Sequence, residues 1–264
     1  MKHRLPKSEA VLWAAGLILV LLAWLAPPLA QAPHYHDFAD QRSWLGLPCA
    51  LDVLSNLPFA LFGLAGWLRL RQLPPSALPP GQYPLAVLFF GGLILTALCS
   101  SVYHWRPDDA GLALDRAGMT VAFAGLLGLA VADRIGARAG TRLAVAVLLL
   151  GPLSIWIWRA SGNLLPWALL QGGGVVLLLA LAVLRPLPGA LAVRWGAVVL
   201  IYAVAKGLEL ADREVFALSG ELVSGHSLKH LVAALAAWPV IGALPRLRQN
   251  QPEPADFAET RMEL

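Results

Sequence analysis

Two short segments at the ends of separate apolar runs carry histidines at helical spacing. Ser100 and His104 are four residues apart near the end of one run, and His226 and His230 are four apart at the start of the last run. On a helix this spacing puts both side chains of a pair on one face. Three imidazoles from two helices could converge on one metal ion and leave a fourth position open, which is the ligand count of a catalytic zinc site. The pattern predicts zinc bound by the three histidines.

Two further side chains could complete a hydrolytic site. Asp115 follows His104 by eleven residues, at the start of the next apolar run, and is the candidate base that accepts a proton from water. Ser100, one helical turn before His104, could orient that water or donate to a developing oxyanion. A zinc ion lowers the pKa of a bound water toward ~7 and polarises a carbonyl, so amide hydrolysis at neutral pH becomes accessible. Because the chain has no His-Glu-x-x-His and no Gly-x-Ser-x-Gly, neither a soluble zinc protease nor a serine hydrolase is predicted.

The composition indicates that these residues belong to an integral membrane protein. Hydrophobic residues make up 58% of the 264 residues, charged residues only 14%, and the mean hydropathy is +0.66. A soluble domain of this length could not bury so much apolar surface in one core, so a bilayer is the expected solvent. The formal charge of +4 comes without a basic stripe interleaved with aromatic residues. Nucleic-acid binding is therefore not expected.

Eight apolar runs predict an all-α, polytopic membrane helix bundle that forms a single membrane domain over residues 1–264. Each run is near the ~20 residues that span a bilayer, and backbone groups in lipid must be hydrogen-bonded within their own segment. The runs lie at about 10–30, 50–70, 84–105, 111–132, 142–159, 164–184, 190–211 and 224–245. Residues 50–245 form a seven-helix core. Residues 10–30 form an extra helix, retained or cleaved as a signal peptide, and residues 246–264 form a disordered cytoplasmic tail.

The distribution of basic residues predicts the orientation. With the amino terminus in the cytoplasm, thirteen of the twenty Lys and Arg residues fall inside, as the positive-inside rule requires. These are Lys2, Arg4, Lys7, Arg69, Arg71, Arg134, Arg138, Arg142, Arg185, Arg194, Arg246, Arg248 and Arg261. The same topology puts both termini in the cytoplasm. It also brings the three histidines and Asp115 to one membrane depth, at the non-cytoplasmic ends of their helices.

Several other polar residues allow two interpretations. Lys206 and Glu209, with Asp212 nearby, could form structural ion pairs or line the site. A second group in the second run, Asp52, Ser55 and Asn56, could form hydrogen bonds between helices or support the metal ligands. Cys49 and Cys99 could pair if both lie on the oxidising side of the membrane.

Taken together, the motifs resemble those of a known family. Ser100-x-x-x-His104, then Asp115, then His226-x-x-x-His230 in the last helix is similar to the signature of the alkaline ceramidases. These belong to a superfamily of seven-helix membrane hydrolases that includes the adiponectin and progestin receptors.

A triplet in the second run, Ser55-Asn56-Leu57, is also similar to one in the first core helix of the alkaline ceramidases. The resemblance covers residues 35–239 and leaves the first helix outside the core.

The resemblance implies zinc on the three histidines and hydrolysis of the amide bond of a ceramide-like lipid. Alkaline ceramidases also bind calcium through an acid-rich amino-terminal segment. Here the corresponding loop offers only Asp37 and Asp40, with Asp52 at the following helix start. This departure from the family pattern argues against calcium, for which these three are the candidate ligands.

Two functions remain open from the sequence. The first is an integral-membrane, zinc-dependent hydrolase of N-acyl lipids with a membrane lipid as its substrate. The second is a receptor-like or sensor protein in which zinc is structural and nothing is turned over. A transporter is disfavoured because no inverted repeat and no matched pair of broken helices are visible. No protein partner can be identified from the sequence.

Overall fold

The computed structural model describes residues 7–245, and in that range the protein belongs to the all-α class, as predicted, with no β-strand among the described residues. It has eleven α-helices and one 3₁₀ turn, at Pro75–Ala77. The helices are α1 (Lys7–Leu25), α2 (Ala50–Leu54), α3 (Leu57–Arg71), α4 (Gln82–Trp105), α5 (Asp109–Arg134), α6 (Ala137–Ser161), α7 (Leu165–Ala182), α8 (Trp195–Leu210), α9 (Asp212–Leu218), α10 (Gly225–Leu235) and α11 (Trp238–Ala243). The predicted tail, residues 246–264, lies outside the described residues.

Six helical segments are long and apolar enough to cross a membrane, as expected of a multi-pass membrane protein. They are α1, the combined α2–α3 segment Ala50–Arg71, and α4 to α7. The last two predicted runs differ from simple spans. The run at 190–211 forms α8 with only 16 residues, and the run at 224–245 divides into α10 and α11. Pro239 in the first turn of α11 lacks an N–H group and cannot continue the hydrogen bonds of α10.

The antiparallel pair α4 and α5 forms the centre of the bundle. A Cβ on Gly92 would lie 2.4 Å from the backbone nitrogen of Ala122, and one on Gly125 would lie 2.3 Å from that of Phe89. The two backbones are therefore in direct contact, the kind of packing that small residues allow between membrane helices. This close contact fixes the register of the helix ends that carry His104 and Asp115. We call this end of the bundle the histidine end.

A short turn joins α4 to α5 at the histidine end. Asp108 is the N-cap of α5, and its carboxylate accepts a hydrogen bond of 2.7 Å from the backbone N–H of Gly111. This hydrogen bond lowers the pKa of the Asp108 carboxyl below its ordinary value. The cap satisfies one of the free N–H groups at the helix start and so fixes where α5 begins.

The opposite end of the bundle is held by one buried carboxylate. Asp133, near the end of α5, accepts hydrogen bonds from the backbone N–H groups of Ala192 and Val193 and from the indole of Trp195, at 2.9, 3.2 and 2.9 Å. It also pairs with Arg134 at 2.6 Å. The segment between α7 and α8 is thus pinned to α5 without regular secondary structure of its own.

The first helix lies at the edge of the bundle, where only Leu12 is buried. It packs on α7, where a Cβ on Gly173 would meet the Leu19 side chain at 2.6 Å. The proposed cysteine bridge is not formed: Cys49 and Cys99 are both buried free thiols.

Candidate metal centre

The three predicted histidines form one buried cluster. Their ligand nitrogens all lie within 4.8 Å of one another, and the side chains of His104, His226 and His230 are 1%, 7% and 5% exposed. The Nε2 atoms of His104 and His226 face each other at 3.3 Å. Within the described part of the chain this is the one group of three or more potential ligands that could hold a metal ion.

The start of α10 is held in place by its neighbours. Ser224 caps the helix by accepting from the backbone N–H of Ser227, and the carboxylate of Asp212 accepts from the backbone N–H of His226 at 2.7 Å. Gly225 is required by the close approach of α8, because a Cβ there would lie 2.2 Å from the carbonyl oxygen of Leu208. These contacts set the position at which His226 enters the cluster.

A break between α2 and α3 orients His230. Pro58 cannot donate a backbone hydrogen bond, so the helix is interrupted at Ser55 and Asn56, whose side chains both donate to the Asp52 carbonyl oxygen, at 2.9 and 2.8 Å. The Ser55 hydroxyl also lies 2.8 Å from Nδ1 of His230. Because its only hydrogen points to the carbonyl, the hydroxyl accepts from the Nδ1–H group, which leaves Nε2 of His230 unprotonated.

Two interpretations were open for this polar group. For Ser55, the hydrogen bond to His230 favours the support of a potential metal ligand. Asp52 fits the other interpretation, a link between helices, because its carboxylate accepts from the hydroxyls of Ser227 and Ser224, at 2.6 and 3.3 Å. Asn56 donates only to backbone carbonyl oxygens of its own segment among the described residues. Three buried polar atoms here have no hydrogen-bond partner among residues 7–245. They are Oδ2 of Asp52, Oδ1 of Asn56 and Nδ1 of His104.

The loop before α2 covers the cluster with an aromatic ring. Phe38 is 5% exposed, and its ring centroid lies 4.7 Å from that of His104 and 4.4 Å from that of His226. The next backbone N–H, of Ala39, donates to Asp212 at 2.9 Å, so one carboxylate holds both the loop and the start of α10. The imidazoles are therefore shielded on the loop side, which the sequence patterns did not reveal.

A buried ion pair fixes the same loop. The Asp40 carboxylate accepts from the Arg42 guanidinium at 2.7 and 2.8 Å and from the Arg42 backbone N–H at 3.0 Å. Burial alone would raise the pKa of Asp40, but the hydrogen bonds from Arg42 outweigh it and hold that pKa below its ordinary value. Arg42 also donates to the carbonyl oxygen of Leu222, which ties the loop to the segment before α10.

The predicted catalytic pair lies beside the cluster on α4 and α5. Ser100 is 3% exposed, one turn before His104, and its side chain adjoins the carboxylate of Asp115. Asp115 is half-buried and is the seventh residue of α5, so it lies roughly 9 Å along the helix from its start. The predicted roles of Ser100 and Asp115 stay predictions, whereas their position next to the histidines is a feature of the fold.

The neighbouring residue Arg116 is a buried cation that the sequence patterns missed. Its side chain is 3% exposed, its guanidinium lies 4.2 Å from the ring centroid of Trp158, and it donates to the Gln31 side chain at 2.7 Å. Its Nη1 atom is buried and has no hydrogen-bond partner in the part of the chain that the structure describes. A cation stacked on an indole is stabilised by the negative face of the ring, which compensates part of its desolvation.

A second group of charged residues, on α8 and α10, adjoins the histidines. Glu209 pairs with Lys206, as one of the two sequence interpretations expected, and also with Lys229 at 2.6 Å. Lys229 lies between His226 and His230 along α10, and its ammonium is within electrostatic reach of all three imidazoles. The sequence shows Lys229 between two candidate metal ligands. Its partner Glu209 could not be recognised, because it lies 20 residues away on another helix.

The three candidate calcium ligands do not form a group. Asp37 pairs with His34 at 2.9 Å, Asp40 with Arg42, and Asp52 with the two serines of α10. Each carboxylate thus has its own partners, and the only cluster of metal ligands in residues 7–245 is the one built from histidines.

Comparison with known proteins adds no assignment to this geometry. No protein-family model matches the chain, and neither does any curated protein.

Proposed function

We propose that the protein is a zinc-dependent amidohydrolase that cleaves the amide bond of an N-acyl lipid. The observation that carries this proposal is the buried cluster of His104, His226 and His230 beside Ser100 and Asp115, at one end of an apolar helix bundle. Helices of this length and composition suit a bilayer, where an N-acyl lipid resides. The resemblance of the motifs to alkaline ceramidases supports the same reaction class.

The donor set fits zinc. Zinc takes imidazole nitrogens at ~2.0–2.1 Å in tetrahedral geometry, which separates two such nitrogens by about 3.3 Å. The Nε2 atoms of His104 and His226 have that separation, at 3.3 Å. Ser55 leaves Nε2 of His230 free to act as the third ligand. When bound, zinc would polarise the amide carbonyl and make a water molecule more acidic.

The protein residues supply the proton transfer. Asp115 would accept a proton from the attacking water and later deliver it to the leaving amine, because a half-buried carboxylate can exchange a proton with a neighbour within one hydrogen bond. Ser100 would orient the carboxylate or donate to the developing negative charge on the carbonyl oxygen. Phe38 would exclude bulk water from the loop side, which strengthens these electrostatic interactions.

The experiment is a lipid panel with a metal measurement on the same sample. Purified wild type and Asp115→Asn are incubated with N-acyl lipids, including ceramide, and released fatty acid is measured by mass spectrometry together with zinc content. We expect turnover by the wild type and much less by Asp115→Asn at equal zinc. Full activity of Asp115→Asn would refute the proposed base.

We further propose that the histidine end faces the non-cytoplasmic side, as the distribution of basic residues indicates. Both native cysteines are buried, so introduced cysteines can be labelled selectively. A cysteine at Asp108 should react with an impermeant thiol reagent added outside intact cells, and one at Ala137 should not. The reverse pattern would refute the orientation.

The alternative, a sensor with a structural metal, is favoured by one observation. The three imidazoles are almost completely buried and lie under Phe38, as a closed structural site would. In that case no N-acyl lipid is hydrolysed, while removal of zinc lowers the thermal stability of the protein.

A further inference from the structure

The charged group on α8 and α10 holds two lysines on one carboxylate. Oε1 of Glu209 accepts from Lys229 at 2.6 Å, and Oε2 accepts from Lys206. Lys229 bridges from the helix that carries two of the histidines, and Lys206 lies on the same helix as Glu209. Both ammonium groups are thus held next to each other, beside the candidate metal centre.

Several N–H donors of the two lysines have no hydrogen-bond partner among the described residues. An ammonium has three N–H donors, and each lysine donates only to Glu209 among the described residues, so two donors of each ammonium remain free. Two positive charges also face one negative charge. Asp115 is within electrostatic reach of Lys229 but forms no ion pair with it in the described structure, and the proposed reaction uses it as the base.

The group is accessible from the surface of the bundle. The Lys206 side chain is 44% exposed, and it lies one turn before the end of α8, about 6 Å along the helix axis. Lys229 and Glu209 are only 19% and 20% exposed, so the group extends from the surface of the bundle inward toward the imidazoles.

A hydroxyl lies on the same side of α8. Tyr202 is four residues before Lys206, and its oxygen accepts from the Gln171 side chain at 2.9 Å. Its own hydrogen therefore remains available to donate. The Tyr202 hydroxyl and the two ammonium groups are hydrogen-bond donors, which suit an acceptor-rich ligand.

We propose that Lys206 and Lys229, positioned by Glu209, form a subsite for an anionic group, a carboxylate or a phosphate, on the amine side of the N-acyl lipid. The anion belongs to the amine side because the acyl chain carries no charge. Lysine binds both groups as a mobile point charge. This inference rests on the proposed function and narrows its substrate class to lipids with a charged head group.

The competing explanation is a purely structural clamp between α8 and α10. One lysine on Glu209 would be enough for a clamp, and a clamp would affect all substrates equally. The two explanations therefore differ in whether the effect of a lysine substitution on kcat/KM depends on the charge of the substrate.

The test uses three substrates that share one acyl chain and a two-carbon amine. N-palmitoylglycine carries a carboxylate, N-palmitoyl-O-phosphoethanolamine a phosphate, and N-palmitoylethanolamine a neutral hydroxyl. Values of kcat/KM are measured for wild type, Lys206→Gln and Lys206→Arg. The matched control is Arg159→Gln, a basic side chain that is also 44% exposed and pairs with Asp109 at the histidine end. Binding of the same lipids to zinc-loaded Asp115→Asn, with and without Lys206→Gln, provides a readout independent of turnover.

We expect the wild type to prefer one or both anionic substrates by about tenfold or more, the typical effect of a charge-assisted hydrogen bond. Lys206→Gln should lose this preference, because kcat/KM should fall far more for the anionic substrates than for the neutral one. Lys206→Arg should recover part of the preference, and Arg159→Gln should retain it. Equal rates on all three wild-type substrates would overturn the subsite and leave the hydrolase intact. If no substrate is cleaved, the hydrolase fails, and binding that ignores substrate charge would then also overturn the subsite.

Discussion

Both ends of the bundle bury polar side chains, but the two ends differ in how many of these polar atoms have hydrogen-bond partners. Around Asp133 every neighbouring donor has an acceptor: two backbone N–H groups, one indole and one guanidinium meet a single carboxylate. At the histidine end, buried atoms of four residues have no hydrogen-bond partner among the described residues: Asp52, Asn56, His104 and Arg116. Of the buried atoms without a partner in the described chain, only Oε1 of Gln82 lies at the opposite end.

This contrast predicts which polar groups are structural and which are functional. An unpaired buried polar atom costs roughly 1–3 kcal/mol, so a cluster of them is retained only where something else compensates. At the Asp133 end the hydrogen bonds stabilise the fold and need nothing further. At the histidine end the free atoms surround residues that could bind a metal and a substrate, and that is where removal of a side chain should affect chemistry more than folding.

The largest expected effect is the loss of the metal itself. His230→Ala should remove most of the zinc and all measurable lipid hydrolysis, because two remaining imidazoles form a weak site. The affinity should fall by more than the ~10–100-fold typical of losing a supporting residue. Zinc content by elemental analysis decides this, and full occupancy in the His104, His226 and His230 variants would refute the site.

The next effect concerns catalysis without metal loss. Asp115→Asn should keep zinc and fold but lower the rate by ~10²–10⁴-fold, because the amide cannot accept the proton from water. Ser100→Ala should cost less, up to ~10²–10³-fold. Initial rates and zinc content are measured on the same preparations, with the best substrate of the lipid panel.

At the Asp133 end, a substitution should affect folding and leave zinc binding unchanged. Asp133→Ala leaves the buried Arg134 without its carboxylate and three donors without an acceptor, which should lower the free energy of unfolding by about 3 kcal/mol. Zinc affinity of the folded fraction should stay unchanged. Unfolding in detergent micelles with increasing dodecyl sulfate, followed by tryptophan fluorescence, measures the change. A loss of zinc from folded Asp133→Ala would contradict the prediction that only the histidine end affects metal binding.

A smaller effect is expected from the residue that supports His230. Ser55→Ala removes the acceptor of the Nδ1–H group and should weaken zinc binding by ~10–100-fold. Competition with a chelator of known affinity gives the value. Ser101→Ala is the matched control, since Ser101 on α4 donates to the carbonyl oxygen of Val53 in α2 and, among the described residues, forms no hydrogen bond with an imidazole. Equal zinc affinity in the two variants would argue against a supporting role for Ser55.

The smallest effect is a pH dependence of the loop that carries Phe38. Because the pKa of Asp40 is lower in the folded protein than the ordinary 3.8, its ion pair with Arg42 contributes stability above that value. This contribution is lost as the pH falls through the lowered pKa. Arg42→Gln should therefore melt below wild type at neutral pH, and the difference in Tm should shrink in strong acid. A Tm difference between wild type and Arg42→Gln that grows as the pH falls would contradict this prediction.

The sequence by itself determined the class of the protein and the candidate ligands. Apolar composition and runs of about twenty residues predict membrane helices because lipid excludes unpaired backbone groups. Spacing of four residues puts side chains on one face of a helix, so each histidine pair could be recognised locally. Both inferences depend on interactions within one segment, and such interactions can be recognised directly in the amino-acid pattern.

Only the tertiary structure decided which faces meet. The bond between Ser55 and His230 joins residues 175 apart, Lys229 reaches Glu209 on another helix, and Phe38 covers the imidazoles from a loop. No periodicity encodes such pairs, because they follow from close helix packing, as at Gly92 and Gly225, and from breaks at prolines. Packing of whole helices positions these side chains, and it acts between segments whose patterns carry no information about each other.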